Sequence, residues 1–451
     1  MSHIRIKKGL DLPMQGKVEN PHVAHLEPSS ALALDLTSFD GRLHLMAREG
    51  EEVQIGQPIA EDRHVKGRMF VSPAGGTIKE IIRGLKRKIL YVVIEKADRE
   101  KYFSHGPLDA SQASKKEIIN KCLQSGLLTK VRSRPCNVLP SPNIYPHSIF
   151  VKALESAPFA PDPSLEVEGF EQEFQHGLEV LSYLAQVHLV YRKGCTSKAF
   201  TDAEYVKKHT AEGPHPIGNF SVHIYHIEPI FSSSRCIWTL TVNDVISFGK
   251  LFMTGQIHHT KIISVAGEGI KKEKRCFMRI REGQCIEDIV KHRLEIGRLR
   301  VVSGDPLMGK KVNLDEFIGM SDNVVCALFE NQKRQPFHFL RLGRNKYSVF
   351  RAYLSGFFPK KDYVLTTNQH GEERAFVEAS IYDKVMPMRI PTVHLIKALL
   401  ANDFELAEEL GLLEIAEEDF ALPAFICPSK VEMVQIVKNA LRNYAEQHLP
   451  S

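Results

Sequence analysis

Apolar positions in the first hundred residues come in short alternating runs, each closed by Gly or Pro: "HLMAREGEEVQIGQPIAED", "RMFVSPAGGTIKEIIRG" and "ILYVVIEK". Period-two alternation broken by turn residues predicts strands joined by tight turns, so residues 1–100 read as a small β-barrel. A polar segment, "SQASKKEIINKCLQSGLLTKVRS", reads as a connector helix and is followed by the Pro-rich loop "RPCNVLPSPNIYPHS". Through the rest of 101–255, continuous apolar strands such as "SIFVKALES" and "VHLVYRKG" alternate with helical periods such as "EFQHGLEVLSYLAQ". That order predicts a parallel sheet covered by helices. Residues 256–325 give an apolar strand, a Gly-rich turn, a strand, a turn and a short helix, the order of a β-grasp module. Further strands and hairpin-like turns such as "RLGRNKYS" predict a β-rich extension over 326–375. From 376 to 451 the period is helical. Leu395, Leu399, Leu400, Leu406, Leu410 and Leu413 mark one face, and Pro391 and Asp403 are expected helix starts.

Within the first region, "EGEEVQIGQP" followed by "SPAGGTI" resembles the biotinyl/lipoyl-type half-barrel, in which a G-D-x-V-x-x-G-Q turn precedes a hairpin and an S-P-x-x-G turn. Gly50, Gly56, Gly75 and Gly76 would supply the positive φ of such turns. In carrier domains of that type a lysine in the hairpin turn takes lipoyl or biotin. Here Glu61 and Asp62 are followed by Arg63, the loop to Ser72 is longer, and Lys66 lies nearby without the motif around it. The expectation is an unmodified structural barrel rather than a swinging-arm carrier.

Charge changes the picture little. The chain has 59 Lys and Arg against 54 Asp and Glu, a net +5 spread along its length, which is too mild to argue for nucleic acid. It is compatible with resting against an anionic membrane face. The opening "MSHIRIKKGLDLP" has no apolar stretch behind its basic residues, and the longest apolar run, "VLSYLAQVHLVY", is too short to span a bilayer. Neither a secretory signal nor a membrane span is expected. Cys122, Cys136, Cys195, Cys236, Cys276, Cys285, Cys326 and Cys427 are scattered without any C-x-x-C, and they read as reduced, mostly buried thiols.

The chain carries few recognisable catalytic or ligand-binding motifs. There is no P-loop, and "GEGIKK" lacks the third glycine position of a dinucleotide fingerprint, so the sheet reads as Rossmann-like without its ligand signature. Histidines gather at His209, His215, His223 and His226 and at His258 and His259. "HIYH" reads as a strand, on which the two rings point to opposite faces, and no carboxylate or thiol completes a metal set. No G-x-S-x-G anchors a nucleophile. "EIAEEDF" reads as a solvated helix start, and the basic runs "RGLKRK" and "KKEKR" as solvated turns with docking as the lesser reading. "FICPSKVE" poses a sharper question. A Cys-Pro pair opening a helix ends ferredoxin-type cluster motifs, yet Cys427 and Pro428 stand alone.

Several long segments in fixed order resemble one family, the NqrA subunit of the Na+-translocating NADH:quinone oxidoreductase. They are "IRIKKGLDLPMQG", "SPAGGTIKEIIRGLKRKILYVVIE", "GPHPIGN", "WTLTVNDVISFGKLFMTGQ" and "KVMPMRIPTVHLIKALLANDFELAEELGLLEIAEEDFALPAFICPSK". The likeness runs to about residue 445 and is weakest over 10–45 and 325–375. It implies an α/β multidomain chain: a biotinyl/lipoyl-like half-barrel, a Rossmann-like α/β domain, a β-grasp (SLBB-like) module and a C-terminal helical domain. The architecture is similar to the NADH-binding flavoprotein subunit of complex I and to RnfC. This chain lacks their Gly-rich flavin loop at "LLTKVRSRPCNVLPSP", and it keeps one cysteine where they hold clusters. The resemblance therefore implies a cofactor-free peripheral subunit on the cytoplasmic face of a bacterial inner membrane. Its complex would pass electrons from NADH to ubiquinone and export Na+, with NAD and flavins used by the other subunits, NqrB to NqrF. NqrB is the chief expected partner. The competing readings are an autonomous flavin- or nucleotide-dependent oxidoreductase and a covalent carrier modified at Lys66. A quinone contact, if this chain supplies one, is expected where "RSRPCNVLP" and "GPHPIGN" would crowd the carboxyl ends of the sheet. Arg134 or His215 would donate to a carbonyl there, and Pro135, Pro214 and Pro216 would shape the rim.

Overall fold

The alternating runs of the first region fold into two small antiparallel sheets. In a computed structural model, which describes residues 2–331, 337, 340–349, 353–358, 361–368 and 373–449, one sheet is β3 (Ala31–Asp35), β9 (Ile89–Lys96), β8 (Gly76–Arg83) and β5 (Glu52–Val53). The other is β4 (Leu43–Leu45), β6 (Pro58–Asp62) and β7 (Met69–Val71). They enclose a core of Leu32, Leu34, Ile59, Phe70, Ile78, Val92 and Ile94. Gly50, Gly56 and Gly76 take positive φ as expected; Gly75 does not, and its amide instead donates to Glu100 Oε1 at 2.8 Å.

The segment before β3 does not belong to this barrel. β1 (Ser2–Arg5) pairs in parallel with β13 (Val206–Glu212), and β2 (Val23–His25) with β16 (Cys276–Arg281). Ile4 and Ile6 are buried in the core beside β13, so the apolar positions of the N-terminus are used there.

β1 and β13 are the edge of a six-stranded sheet that continues with β12 (Gln186–Arg192), β11 (Ser148–Ala153), β14 (Ile237–Thr241) and β10 (Arg132–Arg134). All pairs are parallel except the last, where β10 runs against β14. The chain moves outward from β11 through β12 to β13, then crosses back to β14, so the strand order reverses between β11 and β14. In open α/β sheets such a reversal leaves a crevice at the carboxyl ends, and ligands bind there.

One face of the sheet shares a core with α1 (Lys115–Gln124), α3 (Glu171–Ser182) and α6 (Val242–Thr254); α2 (Ser164–Val167) and α4 (Lys198–Thr201) are single turns in the connections. Ser114 caps α1, its hydroxyl accepting from Glu117 N while the Glu117 carboxylate accepts from Ser114 N. Close approach of α3 and α6 depends on two glycines. A Cβ on Gly249 would lie 1.7 Å from the Glu173 carbonyl oxygen, and one on Gly177 would lie 2.1 Å from that of Val245.

The other face carries α5 (Phe220–Ile227). It also shares one continuous core with α8 (Thr392–Ala401), α9 (Phe404–Glu409), α10 (Ala421–Ile426) and α11 (Met433–His448). Pro391 and Asp403 stand at the N-caps of α8 and α9 as the sequence predicts, and the Asp403 carboxylate accepts from Leu406 N at 3.1 Å. Leu395, Leu399 and Leu413 are buried, but Leu400 and Leu406 are exposed. The single expected face fails for two reasons: Leu400, in α8 itself, is turned about 100° from Leu399, and the left-handed Asn402 (φ 55°) sets Leu406 in a separate helix with its own phase.

A second six-stranded sheet has the order β18 (Lys310–Lys311), β17 (Leu299–Ser303), β19 (Val324–Phe329), β15 (Thr260–Ala266), β16, β2, and packs with α7 (Ile286–Val290) over Ile263, Ile280, Ile289 and Val325. β19 crosses the expected boundary at 325/326. Beyond it, the β-rich extension is not found: the described residues up to 375 contribute only a single bridge, Tyr363 to Met14. "RLGRNKYS" turns at Gly343 without flanking strands. Residues 332–336, 338–339, 350–352, 359–360 and 369–372 of that stretch lie outside the described residues.

"FICPSKVE" answers its question with a correction. Cys427 is the C-cap of α10, so the Cys-Pro pair closes a helix rather than opening one. Proline keeps the residue before it out of the α region, and Cys427 sits at φ −59°, ψ 118°. Its thiol is fully buried, 3.1 Å from Tyr382 Oη. Among the described residues no helix is long and apolar enough to cross a membrane.

Candidate functional site

At the carboxyl end of β11 the chain places Lys152, Glu155 and Ser156. Lys152 Nζ lies 2.8 Å from Glu155 Oε2 and 5.2 Å from the centre of the Phe220 ring, which opens α5. Glu155 Oε1 accepts from the amides of Ser156 (2.8 Å) and Ala157 (3.1 Å). Burial alone would lower the Lys152 ammonium, but Glu155, and then Glu418, carry it above its ordinary value. For Glu155 burial acts upward, and the Lys152 charge with the two amides outweighs it. The result is a well-bonded, largely but not fully buried ion pair at the crevice.

His215 follows β13 into the same region. Its Nδ1 lies 3.0 Å from Ser156 Oγ, which accepts from Gly218 N at 2.8 Å. Asp11 accepts from the His215 amide (2.8 Å), and the His215 carbonyl accepts from Leu10 N (2.8 Å). Burial pulls the imidazole down to about 4, so it is neutral at pH 7.

Arg134 reaches the start of α5 from the opposite end. It lies on β10 opposite Ile237, the first residue of β14, which is the amino end of that strand. The expectation that both Pro-rich loops crowd the carboxyl ends therefore holds for His215 and not for Arg134: the antiparallel edge strand reverses its direction. The guanidinium, 1% exposed, donates to Ser221 Oγ and to the Glu414 carbonyl, each at 2.9 Å. Asp419, 3% exposed, accepts from Asn219 Nδ2 (2.9 Å) and Ala416 N (2.8 Å). Burial pushes the Asp419 carboxyl up, and the Arg134 charge opposes that. Pro135 and Pro216 each follow a cis peptide bond, and Pro214 packs on Gly9.

Arg134 thus reaches the first turn of α5 while His215 meets the turn after β11 and Pro214 meets Gly9, and neither the cleft beyond β11 and β12 nor the cavity beside Lys130 is lined by these residues. Burial also holds two further carboxyls near neutrality, Glu418 at about 7 and Asp305 at about 6. Sequence reasoning missed Lys152, Glu155 and Asp419. "EIAEEDF" is not a solvated helix start, because the 3₁₀ turn Glu417–Phe420 directs Asp419 and Phe420 inward. The available signal was an acid three residues after Ala416, in position to cap that turn's free amide.

"HIYH" also departs from expectation: it is helical, in α5, not a strand. His223 Nε2 meets the Ile217 carbonyl (2.7 Å) and His226 Nδ1 the Val222 carbonyl (2.8 Å). Among the described residues no group of three His, Cys, Asp or Glu could hold a metal ion. A cleft of about 550 Å³ opens beyond β11 and β12, but Asp162, Glu168 and Glu171 line it together with Arg192 and Lys193. Three carboxylates disfavour a phosphate there. A narrow cavity of about 40 Å³ lies between the barrel, the end of α1 and the second six-stranded sheet, beside the Lys130–Glu282 pair (2.5 Å). Lys66 is exposed in the turn between β6 and β7, whose base is clamped by Arg68 and Asp62 at 2.8 Å.

Comparison with known proteins is independent of this geometry. Residues 4–97 match the family described as the NqrA N-terminal barrel-sandwich hybrid domain, and residues 113–257 match the NqrA second alpha/beta domain. Over its whole length the chain is similar to the NqrA subunit of Na(+)-translocating NADH-quinone reductase from several bacteria. It is 35% identical to that of Chlamydia caviae over 98% of this chain and 97% of the relative. For Cellvibrio japonicus the identity is 34%, over 97% and 98%. For Yersinia pestis it is 33%, over 98% and 100%.

Proposed function

Since the chain belongs to the NqrA family, whose members are subunits of the Na(+)-translocating NADH-quinone reductase, we propose that it is the cofactor-free peripheral subunit of such a complex. In this reading the complex reduces ubiquinone with electrons from NADH and exports Na+, and NAD and flavins are used by the other subunits. The chain supports the quinone-reduction end through assembly with NqrB on the cytoplasmic face of the inner membrane. One observation carries the cofactor-free part: where an open α/β sheet receives its ligand, Lys152, Glu155, Ser156 and His215 already satisfy one another.

Arg134, His215 and the adjoining prolines enter this reading as positioning residues. Arg134 ties the first turn of α5 to the segment 414–419 through Ser221 and the Glu414 carbonyl, while His215 ties the end of β13 to Ser156. The visible spectrum of the purified chain tests the first part, and a stoichiometric flavin or iron–sulfur band overturns it. A His215→Gln variant tests the second part: with normal assembly it should show an unchanged quinone KM, and a raised KM would make His215 a quinone contact.

A further inference from the structure

The β8–β9 hairpin ends in a tip with a composition unlike the rest of the barrel. Its sequence is "RGLKRK", and Arg83, Leu85, Lys86 and Arg87 are all exposed, Leu85 at 92%. Lys86 and Arg87 take consecutive left-handed conformations (φ 55° and 59°), which L-residues with side chains adopt rarely. The base of the tip is held firmly: Lys88 Nζ donates to the Thr37 carbonyl and to Asp40 Oδ1, both at 3.0 Å. Asp40 also meets Arg442 Nη1 of α11 at 3.4 Å, so this acid at the base of the tip is neutralised from both sides; Glu49, which accepts from Ile81 N at 2.8 Å, and exposed Glu80 lie further down along β8. Arg442 and Lys438 face solvent on α11 and extend the basic surface; Glu446, 3.9 Å from Arg442, is the acid at its far edge.

We propose that this tip docks the chain on a membrane surface of anionic phospholipid, with Leu85 entering the interfacial region and Arg83, Lys86 and Arg87 at the phosphates. The arrangement is an apolar apex ringed by long cationic side chains, which keep their heads at the headgroups while the apex descends. A protein partner would call for an apolar patch around the apex, since interfaces have a desolvated core. Here a single leucine projects from a convex turn, a shape suited to a deformable surface. This inference rests on the reading that the chain works beside a membrane, and it adds the element that touches the lipid.

The test is sedimentation of the full chain with vesicles of equimolar phosphatidylglycerol and phosphatidylcholine, against vesicles of phosphatidylcholine alone. The chain should bind the anionic vesicles, bind the neutral ones much less, and release as salt rises. Each cation at an anionic surface contributes about fivefold, so Lys86→Gln with Arg87→Gln should weaken binding about 25-fold. Leu85→Ser should also weaken it while keeping the salt dependence. Circular dichroism checks that each variant is folded. The proposal is overturned if the wild type does not bind, or if the double variant binds vesicles like the wild type. Should that variant keep vesicle binding but lose co-purification with the complex, the tip meets an acidic protein and not lipid. Failure to co-purify the wild-type chain would instead strike at the subunit reading, so the two failures are distinguishable.

Discussion

Replacing Arg134 by Ala should destabilise the union of the α/β sheet with the C-terminal helices by about 3–5 kcal/mol, since it removes two hydrogen bonds made by a buried charged donor. The structure gives this figure its parts. The guanidinium is 1% exposed and makes two hydrogen bonds of 2.9 Å, one to Ser221 on α5 and one to the Glu414 carbonyl beyond α9. Hydrogen bonds from a charged donor contribute about 1.5–3 kcal/mol each. Its loss also removes the positive charge that offsets burial of Asp419. A double-mutant cycle isolates that second part. Once Asp419→Asn has removed the carboxylate charge, Arg134→Ala should cost less, with a coupling of about 1–3 kcal/mol. Urea unfolding followed by tryptophan fluorescence is a suitable assay, because the single tryptophan, Trp238, is fully buried on β14, opposite Ser133 of β10. A loss below about 1 kcal/mol, or strictly additive effects, would refute the positioning role given to Arg134.

Glu166 makes stability depend on pH. Its carboxylate accepts from Ile262 N at 2.6 Å and Asn243 Nδ2 at 3.2 Å, and burial raises it from 4.5 to about 7. The folded chain holds a proton over that interval which the unfolded chain has released, so stability falls as pH rises from about 4.5 to about 7. Glu166→Gln should flatten that fall by about 2–3 kcal/mol, measured by urea titration at several pH values, and an unchanged slope contradicts the assignment. Gly249→Ala forces a Cβ onto the Glu173 carbonyl and should cost about 2–3 kcal/mol by thermal unfolding, despite the better helix propensity of Ala. Cys427→Ser should cost about 1–2 kcal/mol and leave the activity of the assembled complex and its iron–sulfur EPR signals unchanged. Loss of a cluster signal would show that the thiol is a ligand.

How far the sequence carried depended on the kind of determinant. Local ones were legible: the Asp403 cap, the connector helix after Ser114, and the barrel turns at Gly50, Gly56 and Gly76. Pairings between distant segments were not. Ser2–Arg5 is a strand only because β13 offers it an edge about two hundred residues later, and nothing in its own pattern names that partner. The polar junction shows the same limit. Lys152 and Glu155 sit close in sequence, but their burial depends on α5 and on the segment 414–419 folding over them. "HIYH" was misread because Val222, Ile224 and Tyr225 favour a strand locally, while its place between Asn219 and Glu228 makes it part of the helix that covers the sheet. Cys427 was located correctly but assigned to the wrong end of a helix, since a Cys-Pro pair alone does not say on which side the helix lies.

The most direct measurement for the account as a whole is depletion and add-back. Membranes carrying the complex without this chain are assayed for NADH oxidation by an artificial electron acceptor and for ubiquinone reduction, before and after addition of the purified, colourless chain. NADH oxidation should persist without the chain, ubiquinone reduction should be lost, and the added chain should restore it while co-purifying with NqrB. Full ubiquinone reduction in its absence, or restoration only by a flavin-loaded form, would contradict the proposed role.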